Sequence, residues 1–191
     1  KHILNTADVK LKGLHNYENI CAALAATRTL VKNEDAVKTI EEFNSVEHRL
    51  EFIREINGVK WYNDSASSSP SRTIAGLRAF DEDIILIAGG YDKNLDYEPL
   101  AEPILEKVKA LILIGNTAKK IYDVVKLKLE EEGRDLPIYM CDELSQTVSV
   151  ANRISRPGQV VLFSPASASF DMFKDFADRG RRFKELVNSI K

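Results

Sequence analysis

Cysteine is scarce in this chain: Cys21 and Cys141 stand far apart among 191 residues. With no Cys-x-x-Cys pair and no Cys/His cluster, the sequence offers neither a disulfide framework nor a structural zinc site. Cys21 falls in a helical pattern and Cys141 at the end of a strand-like run, so both are expected to be reduced, buried thiols. Net charge is nearly absent too, at -2, which gives no electrostatic reason to expect nucleic acid or an anionic membrane as partner. No apolar run approaches the roughly 18–20 residues of a membrane span. The opening Lys1-His2-Ile3-Leu4-Asn5 lacks the apolar stretch of a signal peptide. A P-loop is missing as well. Gly89-Gly90-Tyr91-Asp92-Lys93 has no glycine at the required spacing before it, and Asn94 follows the lysine where Ser or Thr is needed. Internal repeats and low-complexity stretches are likewise missing.

What is present is ordinary globular material. Apolar residues make up 44% and charged residues 29%, with both signs interspersed, enough for one domain and part of another. Ile3-Leu4-Asn5 reads as a short strand-like piece. A helix is predicted over 16–31, with Ile20, Ala23, Leu24, Thr27 and Val31 near one face. Asn33-Glu34-Asp35 caps a second helix running through Phe43. Two such helices cannot bury their apolar faces alone, so this segment is expected to be the end of a larger domain.

From His48 the pattern changes. An alternating strand is predicted over 48–56, then a hairpin at Asn57-Gly58, where a type I′ turn needs positive φ at both positions, then a returning strand over 59–62. Pro70 marks a helix start. Strands follow at 84–88, 110–114, 137–140 and 160–163, separated by helices at 100–109, 118–132 and 144–154. A final helix carries Phe183, Leu186, Val187 and Ile190 at i, i+3, i+4 and i+7. Continuous apolar strands alternating with helices predict a mostly parallel, doubly wound α/β sheet covered on both faces, with one antiparallel hairpin strand.

In such sheets ligands bind beyond the carboxyl ends of the strands. Three exits are rich in functional residue types. The first is Asn63-Asp64-Ser65-Ala66-Ser67-Ser68-Ser69-Pro70. Its serines can cap a helix, and Asp64 can hold a ribose hydroxyl pair. In the second, Gly89-Gly90 allows close backbone approach to a ligand. There Lys93 is either a cation for a carboxylate or phosphate or a solvated surface lysine. The third, Ser164-Pro165-Ala166-Ser167-Ala168-Ser169-Phe170-Asp171, is expected to enter a helix and offer N–H groups to an anion, with Ser169 its N-cap or a ligand contact. Phe170, Phe173 and Phe176 read as core or as ligand-facing. His15, Asn16 and Asn19 form a fourth cluster, in which an Asn amide suits either a helix cap or an adenine edge. His2 and His48 stand isolated and read as structural.

Leu14-His15-Asn16-Tyr17-Glu18-Asn19, His48-Arg49-Leu50-Glu51, Asn63-Asp64-Ser65, Gly89 to Lys93, and Ser164 to Phe176 with Arg179-Gly180 and Phe183 together resemble the Mur ligase family over nearly the whole chain. The last segment is most similar to members that add D-glutamate. The resemblance implies that residues 1–46 are the truncated C-terminal end of the central ATPase domain. Residues 47–191 would be the Rossmann-like, amino-acid-binding C-terminal domain. It implies an ATP-dependent ligase, monomeric and cytoplasmic, that joins D-glutamate to UDP-N-acetylmuramoyl-L-alanine through an acyl phosphate in peptidoglycan precursor synthesis. Neither nucleic acid nor membrane is a partner. Mg2+ would act in the full-length enzyme with ligands outside this chain, and the chain alone would be inactive. By resemblance Asn16 and Asn19 face adenine, Arg49 the phosphates, Asp64 the ribose, and Ser68 donates a hydrogen bond to the nucleotide. Lys93, Ser169, Phe170 and Phe176 hold D-glutamate. No side chain here acts as a catalytic acid, base or nucleophile; the domain positions its substrates. Ala66 and Ser68 depart from the pattern, since relatives often carry Lys and Thr in that segment. The competing readings are another ligase of the superfamily, such as a folylpolyglutamate synthase, a non-catalytic nucleotide or amino-acid binding module, and a plain interaction domain.

Overall fold

The computed structural model describes residues 3–43 and 45–191. His2 therefore lies outside the described residues. Two helices come first, α1 (Leu14–Thr27) and α2 (Asn33–Glu42). They are followed by β1 (Glu51–Ile56), β2 (Val59–Asn63), α3 (Pro70–Leu77), β3 (Ile84–Ala88), α4 (Ala101–Lys107), β4 (Val108–Ile114), α5 (Ala118–Glu132), β5 (Ile138–Cys141), α6 (Leu144–Ile154), β6 (Val160–Phe163) and α7 (Phe176–Asn188). The six strands form one sheet in the order β1-β2-β6-β3-β4-β5. Only β1 runs antiparallel to its neighbour; every other pair is parallel.

The expected doubly wound sheet is present, and its chemistry follows from sequence. β3 reads Ile-Ile-Leu-Ile-Ala and is buried throughout, as a strand covered on both faces must be. One face packs Leu77, Ile104, Ile121 and Val125 from α3, α4 and α5. The other packs Val148, Ala151, Phe183 and Val187 from α6 and α7. The hairpin turn has φ of 50° at Asn57 and 77° at Gly58, the left-handed pair that a two-residue type I′ loop requires.

Several expectations need correction. Ile3–Asn5 forms no strand, because no partner strand lies beside it; a 3-10 turn at Thr6–Asp8 follows instead. α1 stops at Thr27, whose carbonyl takes the N–H groups of both Leu30 and Val31 in a closing turn. Cys21 is exposed on α1 rather than buried. The stretch 100–109 divides: a helix ends at Lys107 and β4 begins at Val108 with no loop between. Lys109 is bulged out, since Ile84 pairs with Val108 and Ile85 with Ala110. His48 and Leu50 do not extend β1. Both adopt left-handed backbone, at φ 66° and 45°, because the turn they make is locked from three sides. His48 N–H donates to Glu51 (2.9 Å), its carbonyl accepts from Ala66 N–H (2.9 Å), and Nδ1 lies 2.9 Å from Asn63 Nδ2.

His48 also packs against Gly180 of α7 so closely that a Cβ there would overlap its ring. Gly180→Ala is therefore expected to destabilise the domain by roughly 1–3 kcal/mol through overpacking. Urea denaturation of the two proteins checks this, and equal stability would show that the ring can move aside.

Candidate functional site

Strand order places the site. β6 enters between β2 and β3. The exits of β2 and β3 lead to helices on one face, whereas the exit of β6 leads to α7 on the other. Chain segments thus part on both sides of β6, leaving a crevice at each switch point, where ligands of open α/β sheets bind. The three serine- and glycine-rich exits read from sequence all converge on these two crevices.

The first crevice, between the β2 exit and α3, is a cleft of about 270 Å³ lined by Arg49, Leu50, Asp64, Ala66, Ser67, Ser71, Arg72, Ala75 and Gly76. Asp64 is 2% exposed. Its carboxylate accepts from Leu50 N–H (3.1 Å) and from the Ser164 hydroxyl (2.7 Å), binding the β2 exit to β1 and β6. Burial pushes its pKa up to about 6; the Ser67 and Ser164 hydroxyls, Leu50 N–H and the charge of Arg49 pull the other way. Arg49 and Asp64 thus share this cleft as the sequence suggested. Ser67 lines it, and Ser68, half-buried, donates its N–H to Ala66. Asn16 and Asn19 lie elsewhere. They border a groove of about 400 Å³ between α1 and α2, among Leu11, Ile20, Leu24, Val31, Ile40 and Phe43. The Asn16 amide donates to Lys12 carbonyl at 2.6 Å.

The second crevice lies between the β3 and β6 exits. The two loops are joined by Gly89 N–H to Pro165 carbonyl (2.8 Å) and Tyr91 N–H to Ala168 carbonyl (2.9 Å). Gly89 and Gly90 have φ of 110° and 151°, and a Cβ on either would strike backbone of β4 or of the β6 exit, so only glycine fits there. Lys93 is exposed, with Nζ 5.6 Å from the Phe170 ring centre, and Phe170 in turn meets Tyr91 edge-on at 6.0 Å. Ser169 is buried beside them. It is not a helix N-cap: its carbonyl takes the N–H groups of Met172 and Phe173 in a turn, and α7 begins only at Phe176, capped by Asp175. Lys93, Ser169 and Phe170 are thus brought together. Phe176, 47% exposed, sits on the side of the first crevice. It meets the His48 ring at 6.2 Å and accepts from the Ser65 hydroxyl.

Buried contacts that the sequence did not reveal hold both crevices in shape. Arg179 is buried and donates to Ser65 Oγ, Ser65 carbonyl, Ser167 carbonyl and Ala168 carbonyl at 2.8–3.1 Å. Behind Gly90 runs a buried hydroxyl chain. Gly90 N–H donates to Thr117, whose hydroxyl lies 2.8 Å from that of Ser167, itself 2.8 Å from Tyr97. Spacing could not reveal these partners, since Ser167 is 50 residues from Thr117 and 70 from Tyr97. Glu47, His48 and Glu51 come within metal-ligand distance of one another, but Lys184 pairs with both acids, at 2.9 and 2.6 Å. The cluster is an ion pair around a neutral imidazole, whose pKa burial lowers.

The raised pKa of Asp64 has a pH signature. Ionising the carboxyl costs more in the folded state than in the unfolded chain, so its contribution to stability is present below about 3.8 and lost as pH rises through about 6. Asp64→Asn lacks this titration. The stability of the parent relative to the Asn variant should therefore increase by roughly 1 kcal/mol between pH 7.5 and pH 5. Chemical denaturation at both pH values measures the difference, and a pH-independent gap would mean that Asp64 titrates in its ordinary range.

Comparison with known proteins agrees with this architecture. The model of a family described as Mur ligase, glutamate ligase domain, matches residues 48–167. A UDP-N-acetylmuramoylalanine--D-glutamate ligase of Acetivibrio thermocellus is 53% identical over 98% of this chain and 41% of its own length. One of Clostridium novyi is 49% identical over 100% of this chain and 42% of its own length. The chain thus spans about two fifths of the curated relatives it matches. Among solved structures, MurF ligase of Thermotoga maritima in complex with ADP superposes with a TM-score of 0.62 at 19% identity, covering 92% of this chain and 38% of that one. MurF of Acinetobacter baumannii does so with a TM-score of 0.68 at 15% identity, over 95% and 39%. With the family's glutamate ligase domain matched across the hairpin, all six strands and the crevice-forming exits up to Ser167, this chain belongs to the Mur ligase family.

Proposed function

We propose that this chain is the C-terminal part of an ATP-dependent ligase that joins D-glutamate to UDP-N-acetylmuramoyl-L-alanine in cytoplasmic peptidoglycan precursor synthesis. The observation that carries the reading is the pair of crevices flanking β6, one with Asp64 and Arg49, the other with Lys93 and Ser169. The curated relatives bearing that activity in their names, about half identical to this chain, support it. Residues 1–46 are read as the end of the central ATPase domain and 47–191 as the amino-acid-binding domain. In support, α1 and α2 keep an apolar groove of about 400 Å³ open between them, which further chain would cover. The enzyme is read as a monomer.

In this reading ATP phosphorylates the carboxylate of the muramoyl-alanine, giving an acyl phosphate and ADP. The amine of D-glutamate attacks the acyl carbon, the acyl C–O bond breaks with its electron pair leaving on phosphate, and the new amide nitrogen sheds its proton. Arg49 meets phosphate oxygens and Asp64 the ribose, with Ser68 beside it; Asn16 and Asn19, which border the separate groove between α1 and α2, would meet the adenine edge only where that groove and the cleft close on one nucleotide. Lys93 and Ser169 hold the two carboxylates of D-glutamate, with Phe170 as a wall beside them; Phe176, packed against His48, would reach the amino acid from the side of the first crevice. None of these groups needs to transfer a proton. Their contribution is to hold amine and acyl phosphate in attack geometry, which can offset several kcal/mol of the barrier. Mg2+ does not fit the residues here. Among the described residues Asp64 is the only carboxylate lining the first cleft, and its oxygens already accept from protein donors, so this cleft offers the ion no free carboxylate ligand.

The test is phosphate release from ATP by the ligase that contains this chain, measured with and without each substrate. Release should require both UDP-N-acetylmuramoyl-L-alanine and D-glutamate; release indifferent to D-glutamate would overturn the assignment. At saturating ATP, Lys93→Ala and Ser169→Ala should each raise the D-glutamate KM at least ten-fold, as expected for losing a hydrogen bond to a charged group, about 1.5–3 kcal/mol. Lys93→Arg should restore only part of the loss, because the planar fork differs in shape and reach. If both alanine variants stay within about two-fold of the parent, the carboxylates are held elsewhere.

A further inference from the structure

The cleft at Asp64 contains a second cation besides Arg49. Arg72, on the first turn of α3, lines the same cleft as Arg49, together with Ser67, Ser71 and Gly76. Its guanidinium makes one hydrogen bond, from Nη1 to Ala66 carbonyl at 3.1 Å. Among the described residues no carboxylate lies within ion-pair distance of Arg72 or of Arg49. Every other lining residue but Asp64 is neutral, and Asp64 is buried with its oxygens engaged by Leu50 and Ser164. The exposed charge of the cleft is thus two guanidinium groups facing open space, which suits a ligand with more than one negative oxygen. Ala66 brings no charge of its own to this loop, and Arg72 sets one on its carbonyl.

We propose that Arg72 binds phosphate oxygens of the nucleotide, acting with Arg49 as the second arm of a two-arginine clamp; this rests on the ligase reading above. A guanidinium held at one Nη by a backbone carbonyl has a fixed plane, and its remaining N–H groups present the fork that matches a phosphate bidentately. The anchor also explains why an arginine so close to a helix start need not pair with a neighbouring acid: its orientation is set by the β2 exit, through the Ala66 carbonyl two residues from Asp64. Because α3 carries Arg72 while the His48–Leu50 turn carries Arg49, the two arms belong to different elements. Each can be removed without touching the other's anchor.

The experiment compares the parent ligase with Arg72→Ala and Arg72→Lys. ADP affinity is read by calorimetry on the full protein, and KM values for ATP and D-glutamate by phosphate release. Arg72 is exposed, so the melting temperature should not move. Arg72→Ala should weaken ADP roughly ten- to a hundred-fold and raise the ATP KM to match, with the D-glutamate KM within two-fold. Arg72→Lys should recover part of the affinity, since it keeps the charge and loses the fork. ADP affinity within two-fold of the parent would overturn the clamp. So would a rise in the D-glutamate KM with ADP unchanged, which would assign Arg72 to the amino acid. The ADP comparison needs no turnover, so an error in the substrate assignment and an error in the role of Arg72 give different results.

Discussion

A single guanidinium, that of Arg179, ties together the loops on which both crevices depend. It lies 2% exposed at the second turn of α7, stacked 5.9 Å over the Phe163 ring, and donates to the backbone of Ser65 on one side and of Ser167 and Ala168 on the other. Those carbonyls belong to two strand exits that turn away from the sheet ladder. Without Arg179 the Ser65 and Ser167 carbonyls would lose their donor, at a cost of about 1–3 kcal/mol each where buried, and the Ala168 carbonyl would keep only Tyr91 N–H. Arginine suits the task because it presents five N–H groups in one plane and is less strongly hydrated than an ammonium. Burial lowers its pKa only to about 10, so it stays charged at neutral pH. Ser65 completes the link by accepting from Nε and donating to the carbonyl of Phe176.

Around this link the exits are built from small residues for a physical reason. Gly89 and Gly90 pass against the backbone of β4 and of the β6 exit, Ala166 is buried with a left-handed φ of 56°, and Ser167 bridges Thr117 and Tyr97 through its hydroxyl. Larger side chains would separate the loops and open the hydroxyl chain to water. The larger side chains that remain, Lys93, Phe170, Phe176, Arg49 and Arg72, therefore stand at the rims of the crevices. Small residues thus fix the loops, and the rim carries the charge and the aromatic walls.

The two N-terminal helices obey a different balance. Their apolar residues face a shared groove with only partial cover, and Cys21, Leu14 and Leu30 are exposed. Helical periodicity was legible there because it depends on local spacing. The burial of Cys21 was not, because burial requires a partner surface that local spacing does not specify. The same distinction explains Val108 and Lys109. Their propensities suit either element, and pairing of Val108 with Ile84 in the neighbouring strand decides for β4.

The sequence by itself determined the strands, because unbroken apolar runs such as Ile84–Ala88 and Val160–Phe163 can only be buried on both faces. It also determined the hairpin at Asn57-Gly58 and the three strand exits where polar and small residues gather. Periodicity and turn chemistry are local, so they can be read from neighbours in the chain. Tertiary structure alone decided that β6 lies between β2 and β3, which brings Ser164 to Asp64 across 100 residues and Ala168 to Tyr91. It also decided that His48 turns left-handed instead of extending a strand, that Ser169 heads a turn instead of a helix, and that Arg179 reaches two loops at once. Each of these depends on satisfying buried polar groups with partners far away in sequence, and no spacing rule within one chain segment encodes that pairing.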